Sequence, residues 1–189
     1  MVVLILGLIL FLGVHSVRML APGGRDAAIG GFGEGAYKGA YTLASLIGLV
    51  LIVWGFGRTA SDPAFLYVPP FWLRHATDLL VLVALVLAVA SALPPSHIGR
   101  AVRHPLLVGT AIWAVAHLFV NGEVGTTILF GAFLIWAVVD LIAQRSRPAK
   151  PKAPPSWRFD IIAVVAGVAI YGLLVWRAHL WLFGVSPIT

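Results

Sequence analysis

The sequence contains no cysteine among its 189 residues. Disulfide bonds, zinc sites built on thiolates, iron–sulfur clusters and a cysteine nucleophile are therefore excluded, and a metal would have to be held by histidine, by carboxylate or through a cofactor. Charged residues are also scarce, at 11% against 60% hydrophobic residues. Average soluble domains contain about 25% charged residues. The composition therefore predicts an integral membrane protein.

Long polar stretches are missing as well, so no part of the chain is large enough for a separate soluble domain. We expect a single all-α domain over residues 1–189, built as a polytopic bundle of six transmembrane helices. The glycine-rich stretch 21–35 is interpreted as a connecting loop, and the basic, proline-rich stretch 144–158 as a surface linker. The predicted spans cover residues 1–17, 40–57, 74–93, 103–122, 124–142 and 161–183.

Acidic residues are few, with 7 Asp and Glu against 13 Lys and Arg and a formal net charge of +6. The cations flank the apolar runs instead of forming one patch, which favours the lipid bilayer over nucleic acid as a partner. Arg58, Arg74 and Arg177 lie on one side of the predicted bundle, and the other ten cations lie on the opposite side. The positive-inside rule then places the linker in the cytoplasm and both termini on the non-cytoplasmic side.

Six histidines stand out in so apolar a chain. Neutral imidazole is a haem or metal ligand that costs less to bury than a carboxylate, so histidines on facing helices can clamp a haem. His15 and His117 lie furthest inside their apolar runs, where ligation and a simple buried hydrogen bond are equally supported. Arg18 shares a helix face with His15 and could pair with a haem propionate or a lipid headgroup, or serve as an ordinary basic anchor. Position alone favours an interfacial or helix-start role for His75, His97, His104 and His179.

The fourth predicted span begins with Arg103, His104 and Pro105, because a helix tolerates proline in its first turn. Thr110 and Ala114 lie on the same face as His117, where small side chains leave room for a flat ligand or for close helix packing. In the third and sixth predicted spans, Asp78 and Arg177 are expected to form a structural ion pair.

Four segments, LILGLILFLGVHSVRMLAPGGRD, GEGAYKGAYTLASLIGLVLIVWG, RHPLLVGTAIWAVAHLFVNG and HLWLFGVSPI, resemble the NnrU membrane proteins over essentially the whole chain. That family is associated with bacterial denitrification and nitric oxide metabolism, and it is related to the haem-b-dependent cis-zeta-carotene isomerase. The resemblance implies a multi-pass protein of the bacterial inner membrane. It also implies haem b on His15 and His117, which match the HS and WCxAH motifs of the isomerase, and Arg103 and His104 match its RHP motif. Ala114 stands where the isomerase has cysteine, so ligand switching to a thiolate is not available.

Three functions follow in order of preference. The first is haem b binding for isomerase-like or redox chemistry on a small or lipophilic substrate, or for a role in nitric oxide metabolism. The second is a non-enzymatic assembly or interaction factor, acting as a homo-oligomer or with a membrane-protein partner. The third is membrane methyl transfer, because RHPxxxG also resembles the isoprenylcysteine carboxyl methyltransferase relatives, although the charged catalytic segment of those enzymes is missing here.

The predicted topology leaves the histidine pairing open. It separates His15 from His117 by about 15 Å in membrane depth at the α-helical rise per residue, which is far for two ligands of one iron. Either the spans are tilted, shifted or broken, or the histidines pair differently. The other pairings are His15 with His104, and His117 with His75 or His179.

Overall fold

The computed structural model describes residues 1–59, 63–145 and 153–187, which are mostly helical. A π-helical segment, Leu174–Ala178, continues directly from one α-helix into the next. In chain order the α-helices are α1 (Val2–Leu20), α2 (Pro22–Phe32), α3 (Glu34–Thr59), α4 (Leu73–Ala92), α5 (His97–Val102), α6 (Pro105–Leu118), α7 (Val124–Arg145), α8 (Trp157–Leu173) and α9 (His179–Phe183).

Five helical stretches of the described chain are long and apolar enough to cross a membrane. They are α1, α3, α4, α7 and the continuous stretch Trp157–Phe183. The all-helical membrane bundle is thereby confirmed. The fourth predicted span is represented by α6, an apolar helix of 14 residues, whereas about 20 are needed to cross the hydrocarbon core. Six full spans are therefore not observed in the described residues, and the sides on which the termini lie stay a prediction.

The predicted span 103–122 is too long at both ends, for local reasons. At its start, Arg103 has a φ of 63°, which is incompatible with a continuing α-helix. At its end, the main chain of Gly122 accepts hydrogen bonds from the N–H groups of Leu66 and Tyr67, at 2.8 and 3.4 Å. This pairing with a distant loop replaces the last turn that the sequence pattern predicted.

The predicted loop at 21–35 is wrong, because most of it forms α2. Pro22 occupies the first turn of α2, where its missing N–H costs nothing. Gly33, with a φ of 84°, ends the helix in a conformation that other residues rarely adopt. In the predicted linker, residues 146–152 lie outside the described part of the chain, and the Ser156 N–H donates to the Pro95 carbonyl at 3.0 Å.

The first of two compact units comprises Met1–Pro69 and Asn121–Gln144. Its helices α1 and α3 approach closely because glycines lie at their contact. A Cβ added to Gly7 would come within 2.6 Å of the Ile52 nitrogen, and one added to Gly48 within 2.8 Å of the Phe11 nitrogen. In a membrane, where the hydrophobic effect does not drive helices together, such close backbone packing is a main source of association.

The second unit comprises Pro70–Val120 and the described part of Arg145–Thr189, and α4 packs against both α6 and α8 within it. Gly109 of α6 and Gly167 of α8 make the close approaches, with added Cβ atoms 3.0 Å from the Ala84 carbonyl oxygen and 2.7 Å from the Val86 side chain. A hydrogen bond adds to the packing, because Thr77 of α4 donates to the Ala116 carbonyl at 2.9 Å. The prediction of a single domain stays a prediction.

Candidate histidine sites

His117 lies in the last turn of α6, and its side chain is half-buried. Its Nδ1 lies 2.8 Å from the carbonyl oxygen of Trp113, one turn earlier. In the tautomer that donates this hydrogen bond, Nε2 carries the lone pair that a metal would bind. The Trp113 ring lies against the imidazole, with centroids 5.0 Å apart. His117 is therefore held in one orientation by its own helix.

The π segment of the second unit leads directly into another histidine. His179 follows the segment as the first residue of α9, and it interacts electrostatically with the His117 imidazole, although burial and the Trp113 carbonyl affect that imidazole more strongly. The Nδ1 of His179 is hydrogen-bonded to the Val185 carbonyl at 2.7 Å. A π turn accommodates one extra residue, which rotates later side chains by about 100° relative to an uninterrupted α-helix. The pairing of His117 with His179, which the sequence left open, therefore stays a candidate.

His15 of the first unit lies among aromatic side chains. Its ring centroid is 4.3 Å from that of Phe11, 5.3 Å from Tyr41 and 6.3 Å from Trp136. Its Nδ1 is hydrogen-bonded to the Phe11 carbonyl at 2.6 Å, which again leaves Nε2 as the lone-pair nitrogen. Arg18 follows one turn later, exposed, in the last turn of α1. This arrangement suits a packed imidazole as well as a ligand.

His97 has a buried partner that the sequence analysis missed. Asp160, with a relative exposure of 5%, accepts hydrogen bonds from the His97 Nδ1 at 2.8 Å and from the main-chain N–H groups of His97 and Ile98 at 3.1 and 2.8 Å. The imidazole also stacks on Trp157, with centroids 4.1 Å apart. His97 is therefore part of an anchor between α5 and α8, with 37% of its side chain still exposed.

The remaining candidates lie in simpler surroundings. His75 is exposed, with its ring edge-on to Phe71 at 6.4 Å. His104 is the N-cap residue of α6 but makes no side-chain capping bond. Arg103 is exposed between α5 and α6.

The expected ion pair of Asp78 with Arg177 is wrong. Both residues are described, and no salt bridge joins them. Asp78 instead interacts with the phenol of Tyr171. This contact also joins α4 to α8, but it pairs the carboxylate with a neutral hydroxyl in place of the expected guanidinium.

A haem b fits the donor chemistry of these histidines. The described residues contain no group of three or more acidic or histidine side chains placed to hold a metal ion, but a haem needs only one or two axial ligands from the protein. Ligating histidines commonly donate their second ring N–H to a main-chain carbonyl, which fixes the tautomer and the ring orientation. His15, His117 and His179 each make such a bond through Nδ1.

Comparison with protein families matches residues 3–187 of the 189 to the model described as NnrU protein. The match includes every candidate histidine and both compact units. Comparison with curated proteins gave no match, and comparison with solved structures gave none either.

Proposed function

Because the chain belongs to the NnrU family, we propose that it is a multi-pass membrane protein that binds haem b, with His117 as an axial ligand. The observation that carries the proposal is that His117 and His179 of the second unit each have Nδ1 bonded to a main-chain carbonyl, and their imidazoles interact electrostatically. A haem site with two histidine ligands requires imidazoles whose ring orientation and tautomer are fixed by such a bond.

We propose His179 as the second ligand. It belongs to the same compact unit as His117, and the π segment before it is a feature that occurs frequently at functional sites. The family resemblance supports His15 in that role instead. The two assignments make different predictions for single substitutions, so an experiment can separate them.

The residues around His117 would orient the ligand and keep water away from it. The Trp113 ring lies against the imidazole, the Trp113 carbonyl accepts a hydrogen bond from Nδ1, and the Thr77 hydroxyl anchors the neighbouring Ala116 carbonyl to α4. A bound haem b would supply a redox-active iron. We place the function in nitric oxide metabolism or in isomerase-like or redox chemistry on a small or lipophilic substrate of the bacterial inner membrane.

The test is the absorption spectrum of the protein purified from haem-replete cells. We expect a Soret band in the wild type that is lost in His117→Ala and in His179→Ala and retained in His15→Ala. His97→Ala is the matched control, because it removes an imidazole that already has a carboxylate partner. Loss of the band in His15→Ala with retention in His179→Ala would assign the second ligand to His15. A colourless, folded wild-type protein would overturn haem binding.

A further inference from the structure

Arg103 has a backbone conformation that arginine rarely adopts. Its φ and ψ are 63° and −49°, and among the described residues it is the one non-glycine residue with a positive φ. The His104 N–H donates to the Val102 carbonyl at 2.8 Å, which closes a three-residue turn around Arg103. Turns of this kind with a positive central φ are strained, and glycine or asparagine would occupy the position with less strain.

The second unit, to which Arg103 belongs, has few carboxylates to neutralise its cations. Arg100 lies one turn earlier and is exposed, and Arg158 lies in the first turn of α8, which Asp160 ties to α5. The Asp160 carboxylate is already engaged by His97 and Ile98. The other acidic side chain of the unit, Asp78, lies in the second turn of α4, whereas α5 follows the far end of that helix.

A simple basic anchor does not explain the conformation of Arg103. An anchor needs a positive charge near the headgroups, which an arginine in relaxed backbone supplies equally well. Strained residues persist where the surrounding structure enforces them, and they cluster at ligand-binding sites. We propose that Arg103 binds the phosphate group of a ligand, since the planar guanidinium can donate two parallel hydrogen bonds to phosphate oxygens. The phosphate belongs either to an anionic lipid headgroup or to a soluble molecule.

The test measures thermal unfolding of the full-length protein in nanodiscs. One set contains digalactosyldiacylglycerol alone, which has no phosphate, a second contains this lipid with phosphatidylglycerol, and a third adds inorganic pyrophosphate to the first. We expect the wild type to gain Tm from phosphatidylglycerol or from pyrophosphate, and whichever acts identifies the source of the phosphate. In Arg103→Gly we expect a higher Tm in digalactosyldiacylglycerol alone, because the strain is relieved, and loss of most of the ligand-induced gain.

Arg100→Gln is the control for charge, because it removes one cation from ordinary helical backbone in α5. We expect it to lose a smaller share of the gain than Arg103→Gly. Arg103→Asn is the second variant in case the glycine variant does not fold, because asparagine tolerates a positive φ better than most residues. It should lose the ligand-induced gain in Tm in the same way. If the Arg100 and Arg103 variants lose equal shares of the ligand-induced gain in Tm, Arg103 acts only as a general basic anchor, and the proposal is overturned. No gain from either phosphate source in the wild type would overturn it too.

Discussion

His15 and His117 occupy similar positions in the sequence pattern but different surroundings in the structure. His15 lies among the rings of Phe11, Tyr41 and Trp136. His117 lies against the Trp113 ring, and its imidazole interacts electrostatically with that of His179. Aromatic neighbours stabilise an imidazole by packing alone, whereas an interaction with a second imidazole is what a haem site would use. The two histidines have similar positions in their apolar runs, so the surrounding side chains are what distinguishes them.

The units that contain these histidines also rely on different contacts. In the first unit, glycines let the α1 and α3 backbones meet. The second unit has close glycine contacts too. Both units contain side-chain hydrogen bonds between distant residues, such as Trp136 to Ser16 in the first and Thr77 to the Ala116 carbonyl in the second. The second unit adds bonds from α5 to a buried carboxylate, that of Asp160. Substitutions that remove one kind of contact at a time test whether this difference is energetic as well as geometric.

The largest effect is expected at Asp160. In Asp160→Ala, the N–H groups of His97 and Ile98 and the His97 imidazole lose their acceptor in a buried position, and unsatisfied buried donors are strongly destabilising. We expect Tm in detergent to fall by several degrees, more than for any other substitution considered below. Asp26→Ala is the control, because its ion pair with Arg25 is exposed and such pairs contribute little. A similar Tm for the two variants would mean that the polar anchor is not energetically important.

Packing in the first unit is tested by two glycines of α3. A Cβ at Gly55 would overlap the main chain of Leu4 in α1, whereas a Cβ at Gly57 would meet nothing within 4 Å. We expect Gly55→Ala to lower the free energy of unfolding by about 1–3 kcal/mol, because the helices must separate. Gly57→Ala should instead raise it by up to about 1 kcal/mol through helix propensity. Reversible unfolding in mixed micelles measures both, and equal values would contradict close packing at Gly55.

Much of this fold follows from hydropathy alone. Long apolar runs correctly predicted the helices that are long and apolar enough to cross a membrane, because a chain in lipid must satisfy its backbone hydrogen bonds internally. The same reasoning missed α2, since a stretch with several glycines has low helix propensity. It also made the fourth span too long, because hydropathy contains no information about the backbone turn at Arg103.

The candidate site was less predictable, because its contacts are long-range. The Nδ1 bond of His117 to Trp113 could be expected from helical spacing. The bond of His97 to Asp160 joins residues 63 apart in sequence, and no local pattern specifies it. The π segment Leu174–Ala178 has no sequence signature that distinguishes it from α-helix, so the orientation of His179 after it could not be predicted.

A smaller effect is expected when a hydroxyl group is removed near each of the two histidines. Thr77→Val keeps the side-chain shape but removes the bond to the Ala116 carbonyl, next to His117. Ser16→Ala removes the hydroxyl that accepts from the Trp136 indole, next to His15. Each should cost about 1 kcal/mol. If His117 binds haem and His15 does not, only Thr77→Val should shift the Soret band. A shift in Ser16→Ala alone would reverse the assignment.

The smallest effect concerns Tyr67, in the loop before α4. Its hydroxyl donates to the Asn121 carbonyl at 2.9 Å. Partial burial raises the pKa of this phenol above its usual 10.0, and the nearby Glu123 carboxylate raises the pKa further. The folded protein therefore favours the neutral phenol, so its contribution to stability is present below pH 10.0 and is lost as the pH rises through the raised pKa.

The variant Tyr67→Phe isolates this contribution, because it removes both the hydrogen bond and the titration. At neutral pH we expect the wild type to have the higher Tm by a small margin, since the side chain is more than a third exposed and solvent weakens the interaction. That margin should shrink in alkaline buffer, while the other tyrosines change both proteins equally. A margin that stays constant or grows above pH 10.0 would contradict a raised pKa of Tyr67, whether burial or the Glu123 carboxylate is its cause. The hydrogen bonds that matter for the loop would then be the main-chain ones, from Leu66 and Tyr67 to Gly122 and from Val124 to Ala64.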